Sequence, residues 1–448
     1  MFHPEIDFPE EFSKRVKDDP FLGSRLLEAL QEKSPISIRL NPHKMTPEFL
    51  LKKSVHWCEH AWYLDERPNY TLDPLFHSGS YYPQEAGSMV LDYVLRSLCL
   101  PKEPIILDLC AAPGGKSTLI SSFLDDRGLL VSNEIHPQRA SILRENLTKW
   151  GCHNALITNN NPSDFERLPD FFDVMVIDAP CSGEGMFRKD PKTRTEWSQS
   201  NVRACAKRQK EIIESTWHTL KSGGYLIYST CTFNRIENED IMQWAIEKYE
   251  ATPIVLEVPR SISIDRRGLG WYCIPGVSES EGFYISVLQK TEAKTHAKRK
   301  TYSNLKKIES SKEINELIEI DQSVLIRREE WIYAIPEGIE EQMLHIQSQL
   351  KILKFGVAVG KMAKKGLVPS EELPYSKLVR RNAIRSHELT RLQALSYLKG
   401  ESFTISAENG WCLVTYRGQA LGWIKQLDLR FNNFYPKEWR IRTRIHGT

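Results

Sequence analysis

The chain has 448 residues, 41% of them apolar and 26% charged, and a net charge of +2. That length exceeds what a single hydrophobic core organises, so two or three globular domains are expected. No run approaches the roughly 18 apolar residues of a membrane span, and the opening MFHPEIDFPEEF lacks the basic start and apolar stretch of a secretion signal. Nine cysteines without a CxxC pair speak against a disulfide framework and against a structural zinc site, so no metal is expected and the cytoplasm is the natural compartment.

Charge is unevenly spread. Residues 374–448 hold 13 Lys/Arg and 5 Asp/Glu, a surplus of +8, and the rest of the chain is correspondingly acidic at −6. A basic tail on a mildly acidic body suits a nucleic-acid ligand, although a solvated charged face would look the same.

Taken in order, residues 1–72 read as a small N-terminal cap domain. It has a helical pattern over 21–32 and an extended piece, SIRLNPHK, over 37–44, with Trp57, Trp62 and Tyr63 closing the unit. The connector YYPQEAGSMV then leads into a helix ending near Leu98. From Pro104 strands and helices alternate: IILDLC, LLVSNEI, FDVMVIDAP and YLIYSTC each precede a helical pattern. Near-continuous apolar strands of this kind predict a parallel sheet covered on both faces, an α/β core over residues 73–290. Extended runs near 252–258 and 282–288 would bring the sheet to about seven strands. Residues 291–320 are charged and poor in apolar side chains, which reads as a basic linker. Beyond them, 321–448 is a β-rich region of short Gly-punctuated strands. Its Trp411, Trp423, Phe434 and Trp439 are expected in the core.

The strand–turn–helix over 105–120, IILDLCAAPGGKSTLI, is where such a fold binds a nucleotide-like ligand. A phosphate-binding P-loop would use Gly115, Lys116 and Ser117. However, Cys110 stands where its first glycine is needed, and Pro113 has no N–H for a phosphate. The alternative is an adenosyl cofactor without a pyrophosphate, S-adenosyl-L-methionine, with Glu134 at the end of the next strand placed for the ribose hydroxyls.

Cys181, after Asp178-Ala179-Pro180, and Cys231, after Ser229-Thr230, each follow a predicted strand on the same rim as that turn. A thiol beside a methyl donor suits methylation of a pyrimidine at carbon 5. Thiolate addition to carbon 6 makes carbon 5 nucleophilic, and a second group removes the carbon 5 proton. An acid near ring nitrogen 3, for which Asp178 is placed, steadies the developing charge.

CAAPGGKS (110–117), DAPCSGEG (178–185) with RKDP (188–191), and YSTCTF (228–233) with ENE (237–239) resemble the RNA 5-methylcytosine methyltransferases of the Sun/Nop group. YYPQEAGSMV and RLNPHK are similar to that family's upstream motifs, and LGWIKQLDLRFNNFYPKEWRIR resembles the PUA-like tail of its bacterial RsmF-type rRNA members. The resemblance implies a Rossmann-like class I methyltransferase core with a PUA-like RNA-binding C-terminal domain. It implies Cys231 as nucleophile, Cys181 in product release, Asp178 contacting the cytosine, and Lys116 near both. Cys110, Ala111, Ala112, Pro113, Gly114, Gly115, Lys116 and Glu134 would hold the cofactor, with Asp178 at its edge. Where the family has an Asp near the adenine this chain has Asn161, with Asp164 as a substitute. The implied partner is RNA, 16S rRNA or the small ribosomal subunit, modified by a monomer without membrane attachment. A tRNA target, a P-loop ATPase acting on RNA and a silent RNA-binding scaffold are the competing readings.

Overall fold

The computed structural model describes residues 7–23, 25–48, 51–291, 306–364, 366–428 and 430–443. At its centre five parallel strands lie in the order Leu220–Thr230, Phe172–Asp178, Ile105–Asp108, Leu129–Asn133 and Ala155–Thr158. Every residue of Ile105–Asp108, Leu129–Asn133 and Ala155–Thr158 is buried. That is why these strands read as unbroken apolar runs rather than alternating ones. Helices Gly115–Leu124, Pro137–Trp150, Gln199–Thr216 and Glu239–Tyr249 follow the strands. Strand order reverses between Ile105–Asp108 and Phe172–Asp178. The loops that leave their carboxyl ends therefore diverge and open a crevice.

The expected Rossmann-like core is present, but among the described residues the sheet has ten strands rather than about seven. Of the run near 252–258 only Thr252–Pro253 is a strand, paired with Phe283–Gln289. Gly270–Cys273 and Ser263–Ile264 extend the same edge antiparallel. At the opposite edge Ile352–Phe355, from far along the chain, pairs antiparallel with Ala155–Thr158.

The N-terminal sheet orders Leu51–Ser54, Ala61–Leu64, Ile36–Leu40 and Tyr81–Pro83. It therefore takes in a strand beyond residue 72, from the connector. The region after 321 forms two units rather than one. A five-stranded sheet runs from Lys306–Lys307 to Gly366–Pro369, and Ile326, Ile335, Met343, Ile346 and Phe355 belong to the same hydrophobic core as the catalytic sheet. Lys354 and Glu372, both buried, pair at 2.5 Å across this junction. The second unit is the four-stranded sheet Ser386–Glu388, Gly410–Tyr416, Gln419–Leu427 and Arg430–Asn433, packed on helix Arg391–Lys399.

Of the expected linker, residues 292–305 lie outside the described residues, whereas Lys306–Lys307 is already a strand and Lys312–Leu317 a helix. Trp423 and Trp439 are buried as expected and Trp411 is half-buried, but Phe434 is 40% exposed. Among the described residues no helix is long and apolar enough to cross a membrane.

Candidate active site

The turn between Ile105–Asp108 and Gly115–Leu124 is held from three sides. Gly114, at the helix N-cap, has φ 117°, a left-handed value that favours glycine. A Cβ on it would stand 3.3 Å from Leu143 Cδ1, so the next helix packs directly against the turn. From that helix Arg139 donates to Ala112 O at 2.8 Å and Asn146 to Pro113 O at 2.8 Å. From the N-terminal sheet the fully buried Arg39 donates to Gly115 O at 3.2 Å and Thr118 Oγ1 at 2.5 Å. At the strand end Asp108 Oδ2 accepts from Ser117 Oγ at 2.6 Å, while Oδ1 has no partner. Burial pushes this carboxyl up to about 7, against the pull of Ser117.

Beside the turn lies a cleft of about 780 Å³, lined among others by Cys110, Ala112, Glu134, Ile135, Asn161 and Pro180. Glu134 is buried. Its Oε1 accepts from His136 N at 3.0 Å and its Oε2 lies 3.4 Å from Arg139, which fixes the carboxylate at the end of Leu129–Asn133. Asn161 lines the same cleft and caps the 3₁₀ helix Pro162–Arg167. Asp164 is not in the lining. Its Oδ2 accepts from Asn161 N at 3.0 Å as the other half of that capping box. A carboxylate and an amide at one end of a largely apolar slot, with the tight turn at the other, fit an adenosyl group without a phosphate. Gly114 lines neither this cleft nor its neighbour and serves the packing of the turn.

A second cleft, of about 300 Å³, adjoins the first. It is lined by Ala111, Pro113, Gly115 and Lys116 of the turn, by Tyr82 and Gln84 from the N-terminal sheet, and by Phe283. Both clefts share Cys110, Ala112, Asp178 and Cys231. Here the two strand ends converge: Cys181 Sγ lies 3.3 Å from Cys231 Sγ. That contact, together with burial, raises the Cys181 thiol well above its usual range. Lys116 Nζ pairs with Asp178 Oδ2 at 2.8 Å and lies 5.0 Å over the Phe283 ring, while Ser229 Oγ donates to Asp178 Oδ1 at 3.0 Å. Burial works against the Lys116 charge, but Asp178 outweighs it and holds the ammonium raised.

Sequence reasoning placed the residues that face the clefts and missed those behind them. Arg39 sits in the RLNPHK run, and Glu184 in DAPCSGEG is a buried hub that accepts from Trp197 Nε1 and pairs with Arg15 of the N-terminal helix Glu10–Asp18 at 2.6 Å. Nothing in either motif separates these two charged residues from solvated ones, because each motif carries other polar side chains as well.

The relatives match this arrangement along its length. Residues 96–289 match the family model described as 16S rRNA methyltransferase RsmB/F, residues 8–86 the N-terminal domain of 16S rRNA methyltransferase RsmF, and residues 384–441 the methyltransferase RsmF PUA domain. The ribosomal RNA small subunit methyltransferase F of Shewanella sediminis is 30% identical over 440 residues, covering 90% of each chain. The chain belongs to the RsmF family of 16S rRNA methyltransferases. The counterpart from Escherichia coli O9:H4 is 28% identical over 481 residues and covers 98% of each chain. Among solved structures, a methyltransferase homolog protein from Pyrococcus horikoshii is 26% identical with a TM-score of 0.54, spanning 64% of this chain and 96% of its own. NSun6 from the same organism shares the fold at 21% identity and a TM-score of 0.55, spanning 64% and 99%. An RsmF-family enzyme takes its methyl group from S-adenosyl-L-methionine, and the P-loop ATPase reading falls with that assignment.

Proposed function

We propose that the protein methylates carbon 5 of a cytosine in 16S rRNA through a covalent adduct on Cys231. The observation that supports this most strongly is the 3.3 Å approach of two thiols at the junction of the two clefts, one shaped for the cofactor and one for a base. S-adenosyl-L-methionine supplies an electrophilic methyl group; the rest of the chemistry belongs to the chain's own residues. A cytosine turned out of its stack enters the smaller cleft between Tyr82, Phe283 and Lys116. The Cys231 thiolate adds to carbon 6, and the electron pair gained at carbon 5 takes the methyl. Asp178, steadied by Lys116 and Ser229, faces the ring on the side of nitrogen 3 and stabilises charge there. Cys181, adjacent to Cys231, serves the last stage, in which the carbon 5 proton leaves and the carbon 6–sulfur bond breaks.

The four-stranded tail sheet supplies backbone affinity for RNA. Arg430, Lys437 and Arg442 are exposed there, Arg440 is half-buried, and Arg444 lies outside the described residues. Both clefts are lined by residues of one chain, which supports a monomeric enzyme.

The test is a pair of variants incubated with undermethylated 16S rRNA and cofactor. Cys231→Ala should bind cofactor and transfer no methyl group, and Cys181→Ala should accumulate an RNA–protein band that survives denaturation. Methyl transfer by Cys231→Ala, or no stable band with Cys181→Ala, would overturn the mechanism.

A further inference from the structure

Behind the two thiols lies a second pair of side chains, one residue further along each loop. Ser182 follows Cys181 and Thr232 follows Cys231, and their hydroxyl oxygens are 3.0 Å apart. Both residues are buried. One carboxylate secures this pair: Glu237 Oε1 accepts from Ser182 N at 2.8 Å, and Glu237 Oε2 accepts from Ser182 Oγ at 2.5 Å. Because the single Ser182 hydroxyl proton goes to Glu237, Ser182 Oγ accepts from Thr232 Oγ1, which in turn accepts from Asn234 N at 3.3 Å. Gln209, from the long helix Gln199–Thr216, donates to both Glu237 Oε1 at 3.3 Å and Pro180 O at 3.0 Å, reaching the Cys181 loop from its other side. Glu237 itself is wholly buried and is held in place by its own backbone, whose carbonyl accepts from Tyr228 OH at 2.7 Å.

Nothing in the cofactor cleft or the base cleft uses this carboxylate: Glu237 lines neither. Removing a carboxylate from water costs several kcal/mol unless hydrogen bonds repay it. All the donors to this one come from Ser182 and Gln209, which hold the Cys181 loop.

We infer that Glu237 is a positioning residue that locks the Cys181 loop to the Cys231 strand end, setting the distance between the two thiols for breakdown of the covalent intermediate. It acts on Cys181 through Ser182 and makes no contact with the base. Cys231 depends on it less, because its strand end has ties that pass through neither Glu237 nor the Cys181 loop, with Thr230 Oγ1 donating to Asn238 Oδ1 at 2.6 Å and Asn238 Nδ2 to Thr232 O at 2.9 Å. Loss of Glu237 therefore disturbs the step assigned to Cys181 and spares adduct formation. The inference rests on the proposed role of Cys181.

The test compares Glu237→Ala, Glu237→Gln, Ser182→Ala and Cys181→Ala in full-length protein, with undermethylated 16S rRNA and S-adenosyl-L-methionine. Displacing a reacting group by about 1 Å costs on the order of 100-fold. Glu237→Ala should accordingly lose about that factor in kcat with cofactor affinity within about twofold of the parent, and should accumulate the denaturation-resistant RNA adduct. Ser182→Ala keeps the backbone bond and the folded loop, and should show the same adduct with a smaller loss of kcat. Glu237→Gln should recover most of the turnover, because its carbonyl can accept from Ser182 N and its amide can donate to Ser182 Oγ. A role confined to stability would lower the melting temperature without trapping adduct. If Cys181→Ala traps adduct while Glu237→Ala and Ser182→Ala turn over normally, or lose turnover without adduct, the clamp is wrong and the mechanism stands. If Cys181→Ala itself traps none, the failure lies in the proposed function. Should Glu237→Ala not fold, Ser182→Ala and Glu237→Gln carry the comparison by the same criteria.

Discussion

Arg39 lines neither cleft. Its guanidinium donates to Gln84 Oε1 at 3.1 Å, Gly115 O at 3.2 Å, Thr118 O and Ser122 Oγ at 3.4 Å each, and Thr118 Oγ1 at 2.5 Å, and it lies 4.5 Å over the Trp150 ring. It thus ties the N-terminal strand Ile36–Leu40 to the first turn of helix Gly115–Leu124, on which the cofactor turn ends. Hydrogen bonds to a charged group contribute about 1.5–3 kcal/mol each. Two of these five are long, and burial of the guanidinium, which also lowers its pKa, takes back several kcal/mol. Truncation to alanine takes the Arg39 donor from Gln84 Oε1 and empties the space over Trp150, while Thr118 Oγ1 keeps its bond to Gly115 O at 3.0 Å, so a net loss of about 3 kcal/mol is expected for Arg39→Ala. Part of that loss appears as a weaker hold on the turn: affinity for S-adenosyl-L-methionine should fall about tenfold, or about 1.4 kcal/mol. Arg39→Lys should recover less than half of either effect, because a point charge cannot span both Gln84 and the helix. The assays are thermal melting and calorimetric titration of the cofactor. Unchanged melting and unchanged affinity in Arg39→Ala would refute the idea that the N-terminal domain braces the cofactor turn.

Glu134→Ala should weaken cofactor binding by about 1.5–3 kcal/mol, one to two decades in Kd by titration, because the charged hydrogen-bond acceptor for the ribose hydroxyls is lost; a change below twofold would remove Glu134 from the cofactor site. Lys354→Met should cost up to about 3 kcal/mol, because it takes the 2.5 Å partner from buried Glu372 and leaves Arg144, at 3.3 Å, as the remaining cation beside it. The melting transition of the catalytic core should move with it, and an unchanged core transition would show that the Ile352–Phe355 strand is not integral to the sheet.

Asp108 gives a pH dependence. Its carboxyl is raised in the fold from 3.8 to about 7, so the folded state binds the proton more tightly than the unfolded chain. The corresponding stability is present in full below about pH 4 and is lost as pH rises through 7. At about 1.4 kcal/mol per unit it amounts to a few kcal/mol at most. Asp108 should therefore contribute a fall in the stability of cofactor-free protein from pH 5 to pH 8 by denaturant titration, and Asp108→Asn should remove that part of the slope. An unaltered slope in the variant would contradict the assignment.

The parts of this molecule legible in the sequence are those with short-range causes. The five parallel strands are buried on both faces and so appear as apolar runs, and the Gly114–Gly115 turn, Glu134, Asp178, Cys181 and Cys231 all stand at strand ends, where topology alone sends them to one rim. What stayed hidden depends on partners far along the chain. Ile352–Phe355 joins the sheet some 200 residues after its neighbour Ala155–Thr158, and nothing in ILKF marks it as an edge strand of another unit. The division of the tail has the same origin, since residues that look like one β-rich region are sorted by which face of the catalytic core they cover. Arg39 and Glu237 look like surface charges until the elements around them close. Asp164, the more acidic candidate beside the adenine end, takes part in a capping box whose pattern is visible in NPSD.

The central claim is that Cys231 bonds to the target cytosine. The direct measurement is mass spectrometry of nuclease- and protease-digested Cys181→Ala complex formed with 16S rRNA and S-adenosyl-L-methionine. The account predicts a methylated cytidine nucleotide attached to the peptide that contains Cys231. A nucleotide attached at another residue, or none on that peptide while methyl transfer proceeds, would contradict it.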